Sequence, residues 1–177
     1  DQCSVLLVRA DAPRFASASA ALAWLSGRSV ATPKDSCMER FARQLLRQPG
    51  GVAAQVVVDQ NVEVITAGFR AGKLDAGVVS EPSASRLVGE GSARRVASGA
   101  SVRGLDGSYL AMRADLIEQR PDVVRAWLRA ELDAQRFLAD AANAVEVMQL
   151  GAAQTSGFEV HDLWQGLFGT HADIEGG

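Results

Sequence analysis

Between residues 3 and 97, short apolar runs rich in β-branched side chains alternate with stretches whose apolar residues recur at helical spacing. No other feature constrains the fold as much. Residues 3–9, 52–58, 74–79 and 93–97 read as strands, with a shorter one through Val30 and Ala31. Between them, Phe15, Ala18, Leu22 and Leu25 share a helical face that Gly27 closes. Met38, Phe41 and Leu45 follow the i, i+3, i+7 rule over 36–47, Val62, Ile65 and Phe69 mark a third helix, and 80–89 a fourth. Strands and helices alternating at this spacing imply βαβ units, and so an α/β fold with a parallel sheet flanked by helices and right-handed crossovers. The strand-to-helix loops at 32–37, 59–61 and 80–82 then open on one edge of that sheet.

The first of these loops carries the most chemistry. In S-V-A-T-P-K-D-S-C-M-E-R-F at 29–41 a β-branched run stops at Thr32-Pro33, and Asp35 or Ser36 is a natural N-cap with Glu39 or Arg40 in the first turn. The amides of a helix N-terminus, backed by the macrodipole, suit an anion, and in open α/β sheets ligands bind beyond the carboxyl ends of strands. The same pattern also describes an ordinary capped junction. The predicted ligand mouth is Lys34, Ser36 and Cys37 from the first loop, Gln60 with Asp59 from the second, and Ser80 and Glu81 from the third. For Ser36, Asp59 and Glu81 the competing role is plain capping or a first-turn acid stabilised by the dipole.

The composition excludes several classes. The 177 residues, 47% hydrophobic, suit one ordinary domain or two small lobes without disulfide support. A net charge of −3 with interspersed signs gives neither a nucleic-acid stripe nor a membrane-surface patch. No apolar run approaches the ~20 residues of a membrane-spanning helix. Cys3 and Cys37 lack metal-ligand spacing, and His161 and His171 are the only histidines, so a zinc site or a Ser/His/Asp triad has little to draw on. No cofactor or metal is predicted. An apolar strand so close to residue 1 leads to the expectation that a preceding segment has been removed.

Beyond residue 98 the pattern changes. Residues 99–107 hold three glycines and read as a linker, 108–112 as a strand, and 115–120 as a short helix stopped by Pro121. Pro121 opens a long helix in which Val124, Trp127, Leu128, Leu132 and Leu138 are expected to bury one side, and helices follow at 143–150 and 161–168.

Three phrases carry a resemblance: G-R-S-V-A-T-P-K-D-S at 27–36, G-K-L-D-A-G-V-V-S-E-P at 72–82 and Y-L-A-M-R-A-D-L-I-E-Q-R-P-D-V-V-R-A-W-L at 109–128. In order and spacing they resemble the solute-binding proteins of ABC importers for sulfonates, taurine, nitrate and thiamine precursors, the NMT1-like group. The resemblance covers residues 4–168. It implies a type II periplasmic-binding-protein fold, here with the first half of lobe one lacking. Residues 28–102 would form α/β lobe two, 1–27 a hinge strand and connecting helix, and 103–177 the return hinge strand and C-terminal helices of lobe one. Strands 4–9 and 108–112 would pair antiparallel beside the hinge, outside lobe two. The implied protein is periplasmic, monomeric when full length, and closes on a small polar or anionic ligand that it passes to a membrane permease. Ser36 and the amides of Ser36 and Cys37 would hold a carboxylate or sulfonate. Two positions depart from the group: Ser80 stands where many relatives carry an aromatic residue, and Asp35-Ser36 where glycine-serine is usual.

Two other readings use the same fold. One is an enzyme with Cys37 as a nucleophile at a helix N-terminus, which lowers a thiol pKa but needs a base. The other is a ligand-sensing domain of a regulator. Exposed Trp127, Phe137 and Trp164 are expected wherever a covering segment is missing.

Overall fold

A computed structural model describes residues 4–48, 53–57, 61–99 and 109–169. The chain divides into two units, Asp1–Leu105 with His161–Gly177, and Asp106–Val160.

The first unit is built on a five-stranded sheet: β1 (Ser4–Arg9), β2 (Ser29–Ala31), β3 (Gln55–Val57), β4 (Ala76–Ser80) and β5 (Ala93–Ser98), in the order β3-β2-β4-β1-β5. Between the strands run α1 (Ala18–Trp24), α2 (Cys37–Leu46), α3 (Val62–Arg70) and α4 (Ser83–Gly89). β2 is parallel to β3 and β4, while β1 is antiparallel to both its neighbours, β4 and β5. The sheet is therefore mixed, with β1 the one reversed strand among the five.

This placement corrects the expected topology. Strand 4–9 is not a hinge strand outside the 28–102 sheet but its fourth member, paired from Ser4↔Ser80 to Val8↔Ala76. The physical reason lies in its composition. Val5, Leu6, Leu7 and Val8 are all at most 1% exposed, so both faces of the strand need cover, and only the sheet interior supplies it. Its expected partner does not form: residues 109–112 take no strand structure, and Ser108 lies outside the described residues.

Helices cover both faces of the sheet. On one, Leu22 and Leu25 of the α1 segment and Phe41 and Leu45 of α2 pack with Leu6, Val8, Val30 and Val78. On the other, Ile65 and Phe69 of α3 and Ala84 and Leu87 of α4 pack with Val5, Leu7, Ala31 and Val79. Burying one such side chain contributes about 1.5–3 kcal/mol. Gly77 marks the closest approach of α3, since a Cβ there would lie 3.1 Å from Ile65 Cγ2 and 3.1 Å from Phe69 Cε2.

The second unit holds α5 (Ala114–Gln119), α6 (Pro121–Ala139), a 3-10 turn (Ala141–Asn143) and α7 (Ala144–Gln154). Pro121 stands at the helix start, as its missing N–H allows. The expected burial along α6 is not found: the helix has no buried residue, and Trp127, Leu128, Leu132 and Leu138 are all exposed. Amphipathic spacing gives a helix an apolar face but cannot supply the surface that covers it. The last helix, α8 (Val160–Phe168), falls mainly in the sheet unit, not with α5 to α7. The division thus differs from the expected blocks 1–27, 28–102 and 103–177, because strand pairing ties residues 4–9 to the sheet and α8 packs on the junction after β4.

Candidate functional site

The junction between β2 and α2 is held by a closed set of hydrogen bonds. Thr32 N extends the ladder by donating to Val57 O at 2.9 Å, and Pro33 then ends it. Asp35 takes a left-handed backbone, φ 53, which reverses the chain into α2. Its amide donates to Glu39 Oε2 at 2.8 Å, while Ser36 Oγ accepts from Glu39 N at 3.1 Å. The Ser36 hydroxyl in turn donates to Pro33 O at 2.6 Å. Ser36 is thus the N-cap, with both its donor and one lone pair in use.

This leaves the amides of Ser36, Cys37 and Met38 without a hydrogen-bond partner among the described residues. The Thr32 hydroxyl, in a fully buried residue, has none either. Lys34 and Cys37 are exposed, and the Cys37 thiol is free. A groove of about 440 Å³ runs from Asp35, Ser36 and Cys37 along α2 to Arg40, Arg43 and Arg47. The three arginines fall at i, i+3 and i+7, a helical stripe that the sequence already displays. Arg43 pairs with Glu39 at 2.8 Å. That bond, with the amide of Asp35, holds the Glu39 carboxyl below its ordinary value. The acids that line the groove with Cys37 are Asp35 and Glu39, and Glu39 is already engaged by a cation and an amide.

The β4 to α4 junction has a different character. Glu81 Oε1 accepts from the Arg95 guanidinium and Oε2 from Ser85 N at 3.0 Å, so the carboxylate both caps α4 and forms an ion pair. Side-chain exposures of 1% for Arg95 and 10% for Glu81 make this an interior pair. Arg95 also donates to Ser85 Oγ at 3.4 Å. A bulge aims it there: Leu6 pairs with Ala97 but Leu7 with Arg95, so Val96 is an extra residue in β5. On the outer side, Gly166 of α8 comes so close that a Cβ would meet Pro82 Cα at 3.3 Å and Glu81 Cβ at 3.4 Å.

Of the six predicted site residues, Ser36 and Cys37 share the α2 groove, and Lys34 lies exposed two residues before Ser36. Ser80 and Glu81 are half-buried at the neighbouring junction. Gln60, with Asp59, lies outside the described residues, though the adjoining Asn61 caps α3 through Val64 N at 2.8 Å. Sequence reasoning missed Arg95. Its one signal is a charge at the inward alternation position between Ala93 and Ala97, which the bulge then disguises. Among the described residues no cluster of His, Cys, Asp and Glu could hold a metal ion.

The sequence pattern of the NMT1-like family matches residues 29–152, well over half the chain. The chain belongs to the NMT1-like family. No curated protein matches this NMT1-like chain by sequence. Among solved structures it is similar to the alkanesulfonate-binding protein SsuA of Xanthomonas axonopodis pv. citri bound to MOPS, with TM-score 0.71 and 22% identity over 93% of this chain and 54% of that one. The periplasmic aliphatic sulphonate binding protein SsuA of Escherichia coli gives 0.70 and 23% over 93% and 54%. The periplasmic nitrate-binding protein NrtA of Synechocystis PCC 6803 gives 0.67 and 18% over 93% and 46%. At these identities the likeness shows a shared periplasmic-binding-protein-like fold, and the NMT1-like chain spans about half the length of each of these structures.

Proposed function

We propose that this chain is part of the solute-binding component of an ABC importer, working outside the cytoplasm and binding a small anionic organic solute between two lobes that close on it. The observation that carries the reading is the row of amides at Ser36, Cys37 and Met38 that have no hydrogen-bond partner among the described residues, beyond the carboxyl end of β2 and at the N-terminus of a ten-residue helix. Lys34 adds a cation to the same loop. The neighbouring acid is neutralised, since the Glu81 carboxylate is bound by Arg95. Because the Ser36 hydroxyl is engaged within the loop, the solute's oxygens are held by the amides. The fold that the chain shares with periplasmic sulfonate- and nitrate-binding proteins supports this reading, as does the family. Among the described residues no helix is long and apolar enough to cross a membrane.

The test is calorimetric titration of MOPS, an organic sulfonate, into wild type, Ser36→Asp and the control Asp115→Ala. A charge-assisted hydrogen bond contributes roughly 1.5–3 kcal/mol, so placing a carboxylate at Ser36 is expected to weaken binding by at least one to two powers of ten. Equal affinity in Ser36→Asp and the control, both folded, would show that the loop is only a structural cap.

A further inference from the structure

We infer that Arg95 is a specificity-determining residue of the sheet edge where α2 begins: by holding the Glu81 carboxylate, it keeps that edge receptive to an anion and unreceptive to an ammonium group. The solute class that follows is an oxyanion that carries no amine. Only this last step rests on the reading of the α2 amides as the solute site; the electrostatic role of Arg95 does not.

The sheet brings the groups to one edge. β4 lies beside β2 in parallel register, Val30↔Ala76 and Ala31↔Gly77, and neighbouring strands run about 4.8 Å apart. The chain therefore leaves both strands at the same edge, toward Ser36 in one case and Glu81 in the other, although α2 and α4 go on to cover opposite faces. The guanidinium comes from β5, on the far side of β1, so the Arg95 side chain reaches past a whole strand to meet Glu81.

Charge decides what this edge admits. With side-chain exposures of 1% for Arg95 and 10% for Glu81, the pair is internal and little screened by salt. Both Glu81 oxygens are engaged, Oε1 by Arg95 and Oε2 by Ser85 N. Of the other described charges at the edge, Glu39 is paired with Arg43, and Lys34 and Asp35 are opposite in sign. A unit charge about 10 Å from an ion alters its affinity by roughly two- to 15-fold as the effective dielectric goes from that of water to that of a protein surface. Freed of Arg95, the Glu81 carboxylate would repel an anion and attract an ammonium group by such factors.

The experiment uses the 177-residue chain with Cys3→Ser, which leaves Cys37 as its one thiol. At low salt, the rate of Cys37 alkylation by iodoacetate, an anion, is divided by the rate with neutral iodoacetamide, so that any change in thiolate fraction cancels. Glu81→Gln is expected to raise this ratio at least about twofold and Arg95→Met to lower it by a similar factor, with Glu81→Gln/Arg95→Met back at the parent value. A pair that only supports the fold would move both single variants the same way. Should Arg95→Met fail to fold, Glu81→Gln and the double variant still decide. In calorimetry the parent is expected to bind ethanesulfonate at least about tenfold more tightly than 2-aminoethanesulfonate, and Arg95→Met to narrow that preference. Unchanged ratios, single variants shifted in one direction, or equal affinity of the parent for the two sulfonates would overturn the inference. Ratios that move as expected in a parent that binds neither sulfonate would uphold the role of Arg95 and refute instead the amides as a solute site.

Discussion

A guanidinium with 1% of its surface exposed, as at Arg95, keeps its charge in the interior only beside a counter-ion, and Glu81 supplies it. Removing the carboxylate takes this counter-ion from the buried guanidinium and the cap from Ser85 N, so Glu81→Ala is expected to lower stability in urea unfolding. The paired change Glu81→Gln/Arg95→Met should recover much of that loss, and a double variant no more stable than Glu81→Ala would refute the pairing. Glu39 makes a different prediction because it sits in the first turn of α2 in contact with solvent. Its carboxyl is lowered first by Arg43 and then by the Asp35 amide, so the fold favours its ionised form. The resulting stabilisation is complete above the ordinary carboxyl value of about 4.3 and is lost as pH falls through the lower folded value. Glu39→Gln should therefore flatten the acid limb of the stability curve, measured as urea midpoint against pH. An unchanged limb would show that the bond contributes nothing to the acid response.

Among the elements, α8 meets the β4 to α4 junction through a small residue, Gly166. Gly166 lies against Pro82 and Glu81 at 3.3–3.4 Å from a built Cβ, so Gly166→Leu leaves no room beside backbone and should lift α8 from the β4 to α4 junction. Hydrogen exchange across α8 is expected to accelerate about tenfold or more, with β1 and β4 unaffected; unaltered α8 protection would show that the contact is incidental. Nothing in the sequence near Gly166 announces this partner, because close approach between distant elements leaves no local pattern. What was legible was local chemistry: Ser36 and Asn61 cap α2 and α3 where capping residues precede helical periodicity, and each of the five strands overlaps one of the five apolar runs. Strand direction was not legible, since a central strand buried on both faces shows the same apolar run whether parallel or antiparallel, and β1 was misplaced on that account. In the candidate site, the cap at Ser36 could be read from the loop. The Glu81 to Arg95 pair could not, because a bulge in β5 sets which way Arg95 points.

At the scale of the whole molecule, burial is divided unequally between the two units, and cooperativity should follow that division. Every large buried hydrophobic side chain of the described residues except Met148 belongs to the sheet unit, where helices on both faces close two cores. The tryptophans report on the units separately. Trp24 packs against Phe15 at 5.7 Å and under the Arg28 guanidinium at 4.2 Å, whereas Trp127, on α6, is 43% exposed. Two single-tryptophan variants separate the signals, one keeping Trp24 and the other Trp127, with phenylalanine at the remaining positions. The Trp24 variant is expected to show one cooperative urea transition whose slope reflects the surface that the sheet unit exposes. The Trp127 variant should emit near the wavelength of a solvated indole before any urea is added, and should change at lower urea with little cooperativity. A small domain that folds as one gives coincident transitions by every probe. If the two tryptophans report the same midpoint and slope, the 177 residues unfold as one cooperative body, and α6 is stabilised from within this chain.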